Sequence, residues 1–223
     1  MRYNNRMPIK HYLFDLDETL YPPDCGLWPI LAGRINSYMQ TRLGIPREEV
    51  VEKREFYYRT YGTSLRGLQA DYHVNANEYL DFVHDVPIQD YIHRDEKLRS
   101  ALAGFPGEKS ILTNANRRHS QRVLEALGIA EFFQRIIDVN DMEPYCKPQP
   151  EAFLKAMDML GDQDPANYLL LDDTVRNVNA AASLGMVAIL VSPQPTSQAG
   201  IQQIPSIHDF PAAFARLTVE GIL

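Results

Sequence analysis

The sequence has few cysteines, no long apolar run and no excess of basic residues. Its two cysteines, Cys25 and Cys146, are far apart and stand in no metal-ligand spacing. We therefore expect reduced thiols and a cytoplasmic location. No apolar segment approaches the length of a membrane span, and the polar start, Met1 to Pro8, lacks the apolar region of a signal peptide. We expect no membrane association.

The formal net charge of −7 disfavours a nucleic acid polymer as partner, because binding to its phosphates needs a basic face. A small phosphate ester stays compatible, since a metal ion and one or two cationic side chains can reverse the local sign of charge. With 45% hydrophobic and 23% charged residues, the composition is that of a globular protein rather than a disordered one. The sequence does not distinguish a monomer from a homodimer.

Two regions of the chain differ in their periodicity. Residues 22–94, here called the helical insert, carry only helical patterns, predicted near residues 30–43, 46 onward, 64–73 and 77–83. After residue 95, helices predicted at 96–102, 120–127, 150–160 and 175–184 alternate with short apolar runs at 110–114, 135–139, 168–171 and 187–191. Such alternation predicts a parallel sheet covered by helices on both faces, and a strand near 11–15 joins it. We therefore predict an α/β fold in which a doubly wound core, residues 1–21 and 95–223, contains the helical insert.

The first strand ends in two carboxylates, Asp15 and Asp17. In a parallel sheet both would emerge at the carboxyl end of the strand, where open α/β sheets bind ligands. Two anions so close repel each other unless a cation lies between them, and Mg²⁺ prefers oxygen ligands of this kind. Taken alone, the pair is also compatible with an ordinary turn, in which Asp is common.

Three further strand ends carry polar groups. Thr113 and Asn114 follow one strand, where a hydroxyl and free backbone N–H groups can hold phosphate oxygens. Lys147 precedes a helix that begins at Pro150, and Asp172 with Asp173 follows a run of three leucines. Each has a simple structural alternative. Thr113 could be an ordinary strand residue, Lys147 an exposed lysine, and Asp173 the N-cap of the following helix. Together they indicate one site.

In order and spacing, these four motifs resemble those of the haloacid dehalogenase-like hydrolase superfamily, across essentially the whole chain. The resemblance implies a Rossmann-like core, and the helical insert is similar to the cap domain of that superfamily. Residues Tyr61 to Leu68 and Val74 to Ala76, with Tyr21 after the first motif, resemble the pyrimidine 5′-nucleotidase group.

The resemblance implies a Mg²⁺-dependent phosphomonoesterase in which Asp15 attacks phosphorus and Asp17 is the general acid and base. Thr113, the Asn114 backbone amide and Lys147 would bind the transferred phosphoryl group. The ion would be held by Asp15, the Asp17 backbone carbonyl, Asp172 and Asp173. Dehalogenases lack a carboxylate at the position of Asp17, so the motif favours phosphoryl transfer.

Substrate selection is expected in the helical insert. Arg66 could contact a nucleotide, and Tyr21 and Trp28 could wall its base; alternatively, Arg66 is a surface or ion-paired residue and Trp28 packs a helix. The six histidines show no metal-ligand spacing, and we interpret them as incidental, or as helix and surface residues. They are His11, His73, His84, His93, His119 and His208.

The leading hypothesis is a nucleoside 5′-monophosphate phosphatase that prefers pyrimidines such as UMP and CMP. A phosphatase of sugar phosphates or other small phosphomonoesters is the first alternative. A non-catalytic regulatory protein on the same fold is the second, and the complete set of acids and Lys147 argues against it.

Overall fold

The computed structural model describes residues 9–105 and 107–220, and the core of the fold is a parallel sheet of six strands. The strands are β1 (His11–Phe14), β2 (Glu108–Leu112), β3 (Arg135–Ile137), β4 (Tyr168–Asp172), β5 (Val187–Val191) and β6 (Gln202–Ile204). Their order is β3-β2-β1-β4-β5-β6, so the order reverses at β1, which pairs with β2 on one side and β4 on the other. The predicted α/β fold is confirmed. In such sheets, ligands bind beyond the carboxyl ends of the strands at this reversal.

Nine α-helices lie in the described ranges. They are α1 (Leu27–Thr41), α2 (Arg47–Tyr61), α3 (Ser64–Tyr72), α4 (Ala76–Val83), α5 (Glu96–Ala103), α6 (Arg117–Leu127), α7 (Pro150–Leu160), α8 (Val175–Leu184) and α9 (Phe210–Val219). Residues 22–94, all of them described, contain helices and no strand, as the periodicity predicts. Their separation from the core as a distinct domain stays a prediction. No helix of the described ranges is long and apolar enough to cross a membrane.

Two elements near the carboxyl end, β6 and α9, were not predicted. Strand β6 has only three residues, two of them glutamines, so it lacks the apolar run that marks the inner strands. It pairs with β5 alone and lies at the edge of the sheet.

Helix α6 begins at Arg117, three residues before the predicted start, because the Asn116 side chain caps it by accepting from the backbone N–H of His119.

The core has one apolar layer on each face of the sheet, because successive side chains of a strand point to opposite faces. Leu13 of β1 belongs to the layer that contains residues of α7 and α8, such as Phe153 and Ala181. Its neighbours Tyr12 and Phe14 belong to the other layer, together with residues of α5, α6 and α9. Helices thus cover both faces, and the ends of the strands remain as places for a site.

Within the helical insert, α2 and α3 pack closely at a glycine. A Cβ atom built at Gly67 of α3 would lie 2.2 Å from the ring of Tyr57 of α2. The buried Tyr57 ring therefore fits only against a residue without a side chain, and its hydroxyl donates to Asp71 over 2.6 Å.

Substituting Gly67→Ala should therefore destabilise the protein by about 1–3 kcal/mol, because an overpacked core must shift side chains or backbone. Gly33→Ala is the matched control: it also lies in a helix of the insert, but a Cβ there would meet no atom within 4 Å. Alanine has the higher helix propensity, so this variant should gain about 0.5–1 kcal/mol. Urea unfolding of both variants measures the difference, and equal stabilities would contradict the packing described.

Candidate active site

Three strand ends at the reversal of the sheet place polar residues side by side. Asp15 follows β1, and its N–H continues the ladder to β4 by donating to Leu171 over 2.8 Å. Thr113 follows β2 and donates its N–H to Ile137 of β3 over 3.0 Å. Asp172 is the last residue of β4. All three are buried, so the backbone ladder fixes the positions of these side chains before any ligand binds.

Asp15, Asp172 and Asp173 form a cluster of carboxylates whose candidate ligand oxygens lie within 4.8 Å of one another. Burial raises the pKa of Asp15 to about 7; Lys147 opposes this shift and Asp172 adds to it. Burial and the neighbouring Asp15 also raise the pKa of Asp173 well above its usual range. Burial is the largest cause of both shifts, and the neighbouring acids add to it by like-charge repulsion, which a divalent cation with oxygen ligands would relieve.

Lys147 lies between two of these acids. Its Nζ is 2.7 Å from Asp15 Oδ1 and 2.7 Å from Asp172 Oδ2, and the side chain is 1% exposed. Burial by itself would lower the pKa of Lys147, but the two carboxylates raise it above its ordinary value, so the ammonium stays charged. The Asn114 side chain holds the backbone of this lysine. It accepts a hydrogen bond from the Lys147 backbone N–H and donates one to the Lys147 carbonyl, each over 2.9 Å.

Further hydrogen bonds hold the acids in place. The backbone N–H of Thr174 and the Asn177 amide both donate to Asp172 Oδ1 over 2.9 Å. The Thr19 hydroxyl donates to Asp15 Oδ2 over 3.2 Å and accepts from the Asp173 N–H over 3.0 Å. Thr19 therefore links the loop after β1 to the loop after β4.

The Asp17 side chain points to different partners. Its Oδ1 lies 2.8 Å from His119 Nε2 and accepts from the Tyr21 hydroxyl over 2.7 Å. Burial raises the pKa of Asp17, but His119, with smaller contributions from His84 and Tyr21, outweighs burial and holds this pKa below its usual range. The Asp17 carboxylate is thus directed toward His119 and Tyr21 and is not a member of the cluster of Asp15, Asp172 and Asp173.

A cavity of about 420 Å³ opens above these residues, and residues of the helical insert line its other side. On the sheet side it is lined by Asp15, Asp17, Thr113, Asn114, Lys147 and Asp173. On the side of the insert the lining combines apolar and aromatic side chains, Trp28, Leu31, Ile35, Leu65, Tyr79, Leu80 and Val83, with the polar side chains of Arg54, Glu55, Tyr58, Thr63, Ser64 and His84. Asp15, Asp17 and Asp173 thus share one cavity with a wall that is partly apolar.

Two residues expected to contact substrate lie elsewhere. Arg66 is buried outside the cavity lining, and its Nη2 donates to the carbonyls of Val139 over 2.7 Å and Tyr145 over 2.9 Å. Tyr21 is also buried outside the lining, with its hydroxyl on Asp17. Both expectations are corrected: Arg66 joins the insert to the core, and Tyr21 holds an acid. Trp28 does line the cavity.

His119 lies in helix α6, as one of the two interpretations of the histidines has it, but it is neither incidental nor at the surface, because it is fully buried against Asp17. Its position at the start of α6 follows from the Asn116 cap, and the adjacency of β1 and β2 brings it to a residue 102 positions earlier. Ligand spacing could not reveal it, because its partner is not a neighbour in sequence. The Asn-x-x-His pattern after a strand was the available signal.

Residues 9–185 match the family model of haloacid dehalogenase-like hydrolases. The chain belongs to this family. Phosphate metabolism protein 8 of Saccharomyces cerevisiae is 31% identical over an alignment that covers 79% of this chain and 60% of the relative. A phosphoglycolate phosphatase of Neisseria gonorrhoeae is 33% identical over 37% of this chain and 34% of its own. The chain thus spans less than two thirds of the length of these curated relatives.

Solved structures of other proteins have a similar fold. The HAD-hydrolase YfnB of Bacillus subtilis, described as bound to magnesium, superposes with a TM-score of 0.64 at 16% identity. The match covers 94% of this chain and 100% of that one. At this identity the likeness concerns the fold.

Lys147→Met should destabilise the protein by about 3 kcal/mol in a chelating buffer, because it leaves the buried Asp15 and Asp172 without their cation. Lys97→Met is the control, since Lys97 is exposed on α5 and should change the stability by less than about 0.5 kcal/mol. Denaturant unfolding gives both values. A loss for Lys147→Met as small as that of the control would contradict the buried ion pairs.

Proposed function

We propose that the protein is a Mg²⁺-dependent phosphomonoesterase that acts through an aspartyl-phosphate intermediate. One observation carries the proposal: Asp15, Asp17, Lys147 and Asp173 line one side of one cavity, although they come from separate segments of the chain. The buried Asp172 lies next to them, with its Oδ2 2.7 Å from Lys147 Nζ. This set provides a nucleophile, a second acid, a cation for the phosphoryl group and a place for a metal ion.

Asp15 is the proposed nucleophile. It attacks phosphorus, the bond to the leaving oxygen breaks, and the phosphoryl group passes to the carboxylate, which divides one difficult hydrolysis into two displacements. Asp17 protonates the leaving alkoxide and then takes a proton from the water that attacks the phosphoenzyme. The Asp17 carboxylate lies on His119 and outside the cluster of Asp15, Asp172 and Asp173, which supports this division of roles.

Thr113, the Asn114 backbone amide and Lys147 are proposed to bind the oxygens of the transferring phosphoryl group. Fixed donors lower the barrier because they are oriented before charge develops. The hydrogen bonds of the Asn114 side chain support this, since they fix the backbone of Lys147, while Asp15 and Asp172 hold its ammonium at the cavity.

The carboxylate cluster fits Mg²⁺ by its chemistry. Three clustered acids offer hard oxygen ligands, and Lys147 can neutralise at most one of them. Asp15, Asp172 and Asp173 would hold the ion, with the Asp17 backbone carbonyl as the further expected ligand. When bound, Mg²⁺ neutralises charge on the phosphoryl group and on the attacking carboxylate.

The partly apolar wall of the cavity favours a nucleoside 5′-monophosphate as substrate. A cavity of about 420 Å³ is in the range of drug-sized ligands, and Trp28 and Tyr79 offer aromatic surface on the side of the insert. A nucleobase can bury its flat faces against this aromatic surface, which a sugar without a base cannot do to the same extent. With the resemblance to the pyrimidine group, this supports UMP and CMP as the preferred substrates.

A phosphatase of small phosphomonoesters is the second candidate, because one relative is named phosphoglycolate phosphatase. Phosphate release with Mg²⁺ from UMP, CMP, AMP, phosphoglycolate and glucose 6-phosphate separates the two. We expect kcat/KM for UMP or CMP to exceed that for glucose 6-phosphate by about 10-fold or more, from the buried base alone. Equal values on sugar phosphates would contradict the nucleotide assignment, and no release from any ester would contradict the proposed activity.

Asp15→Asn should lower turnover by about 1000-fold or more, since the nucleophile is lost with little change in volume. Thermal stability should be equal or higher without metal, because the substitution removes one of three crowded acids. Asp90→Asn, at an exposed position, is the control and should retain full activity. Retained turnover in Asp15→Asn would show that another group attacks phosphorus.

A further inference from the structure

The His119 ring has one polar contact among the described residues, and that contact is Asp17. Its Nε2 lies 2.8 Å from Asp17 Oδ1, while its Nδ1 is buried without a hydrogen-bond partner in the described ranges. A carboxylate can only accept, so His119 Nε2 carries a proton and donates it to Asp17 Oδ1. A histidine that only filled space in the core would not need this orientation.

The two oxygens of Asp17 differ in their surroundings. Oδ1 receives both the His119 Nε2–H and the Tyr21 hydroxyl. No hydrogen bond from residues 9–105 or 107–220 ends on Oδ2, and Asp17 lines the cavity. Two donors therefore fix one oxygen and leave the other for a ligand.

His119 is itself held by a residue of the helical insert. The ring of His84, which follows α4, stacks on His119 with 4.2 Å between centroids and 18° between planes. Burial lowers the pKa of His84 to about 3, and the neighbouring His119 adds to this effect. At neutral pH the His84 ring is uncharged, so it acts on His119 as a flat packing surface.

We propose that His119 is a positioning residue that holds Asp17 Oδ1 so that Oδ2 meets the leaving group, and that His84 holds the His119 ring by stacking. The stack thereby connects the position of the helical insert to that of the general acid. This inference rests on the proposed phosphomonoesterase activity, and it adds two residues that the four motifs do not contain.

Positioning of an acid has a signature that a loss of folding lacks. An alkoxide leaves only with a proton, so transfer from an alkyl phosphate depends on the place of Asp17. The 4-nitrophenolate ion is a much weaker base and leaves without protonation. A misplaced acid therefore slows the first displacement for the alkyl ester more than for the aryl ester, and kcat/KM reports this step.

The experiment compares kcat/KM for 4-nitrophenyl phosphate and for the alkyl phosphomonoester that the wild type hydrolyses fastest. His119→Phe keeps the stacked ring and removes the hydrogen bond. His84→Ala removes the stack, and His84→Phe keeps it. His93→Ala is the control, because His93 is exposed and outside the cavity lining.

For His119→Phe we expect a loss of about 100-fold on the alkyl ester and of less than about 5-fold on the aryl ester. His84→Ala should lose about 10-fold on the alkyl ester, while His84→Phe and His93→Ala stay within about 2-fold of the wild type. Equal losses on both esters would overturn the inference, since they would indicate general damage. A wild type inactive on both esters would contradict the proposed activity instead.

A second measurement needs no turnover. In the imidazole N–H region of the NMR spectrum, the His119 Nε2–H signal should be shifted downfield and protected from exchange in the wild type and in His84→Phe. It should lose both properties in Asp17→Ala, and protection should fall in His84→Ala. A signal unchanged by Asp17→Ala would overturn the hydrogen bond, and one unchanged by His84→Ala would overturn the role of the stack.

Discussion

The buried ammonium of Lys147, placed between Asp15 and Asp172, is the interaction on which the site depends. Three carboxylates at the ends of β1 and β4 would repel one another in a low-dielectric interior. One fixed cation lets the strands meet while the cluster keeps enough negative charge for a metal ion. The parallel sheet supplies the positions, and the reciprocal hydrogen bonds of Asn114 fix the backbone of the lysine. A phosphoryl group would therefore enter a site whose charges are already arranged.

The helical insert contributes in two ways. Its residues form one wall of the cavity, where a leaving group would lie. It is also joined to the core by hydrogen bonds in both directions. Arg66 of the insert donates to the Val139 carbonyl of the core over 2.7 Å. Arg176 of the core donates to the carbonyls of Tyr58 and Gly62 in the insert, each over 2.7 Å. A Cβ atom built at Gly62 would lie 2.9 Å from the Lys147 carbonyl, so this part of the insert lies directly on the lysine loop. The helical insert, which forms one wall of the cavity, is thus in direct contact with the loop that carries Lys147.

The sequence was sufficient to predict the strand ends and their polar residues, because buried parallel strands are short apolar runs and their carboxyl ends share one edge. Helices α7 and α8 have the predicted bounds, since Pro150 and the terminal glycines mark them. It was insufficient for β6, whose polar residues carry no pattern, and for Arg66, whose charge suggested a ligand although its Nη2 donates to two backbone carbonyls. The contact of His119 with Asp17 was not predicted, because it joins segments that are distant in sequence. Local pattern specifies elements, and side-chain partners across elements require the packed structure.

The central claim is that Asp15 accepts the phosphoryl group. Acid quenching during turnover, borohydride reduction and mass analysis of the peptides would convert an aspartyl-phosphate to homoserine at the phosphorylated position. We expect homoserine at position 15, formed only when substrate and Mg²⁺ are both present. Active turnover with no modified aspartate, or with the modification at Asp17 or Asp172, would contradict it.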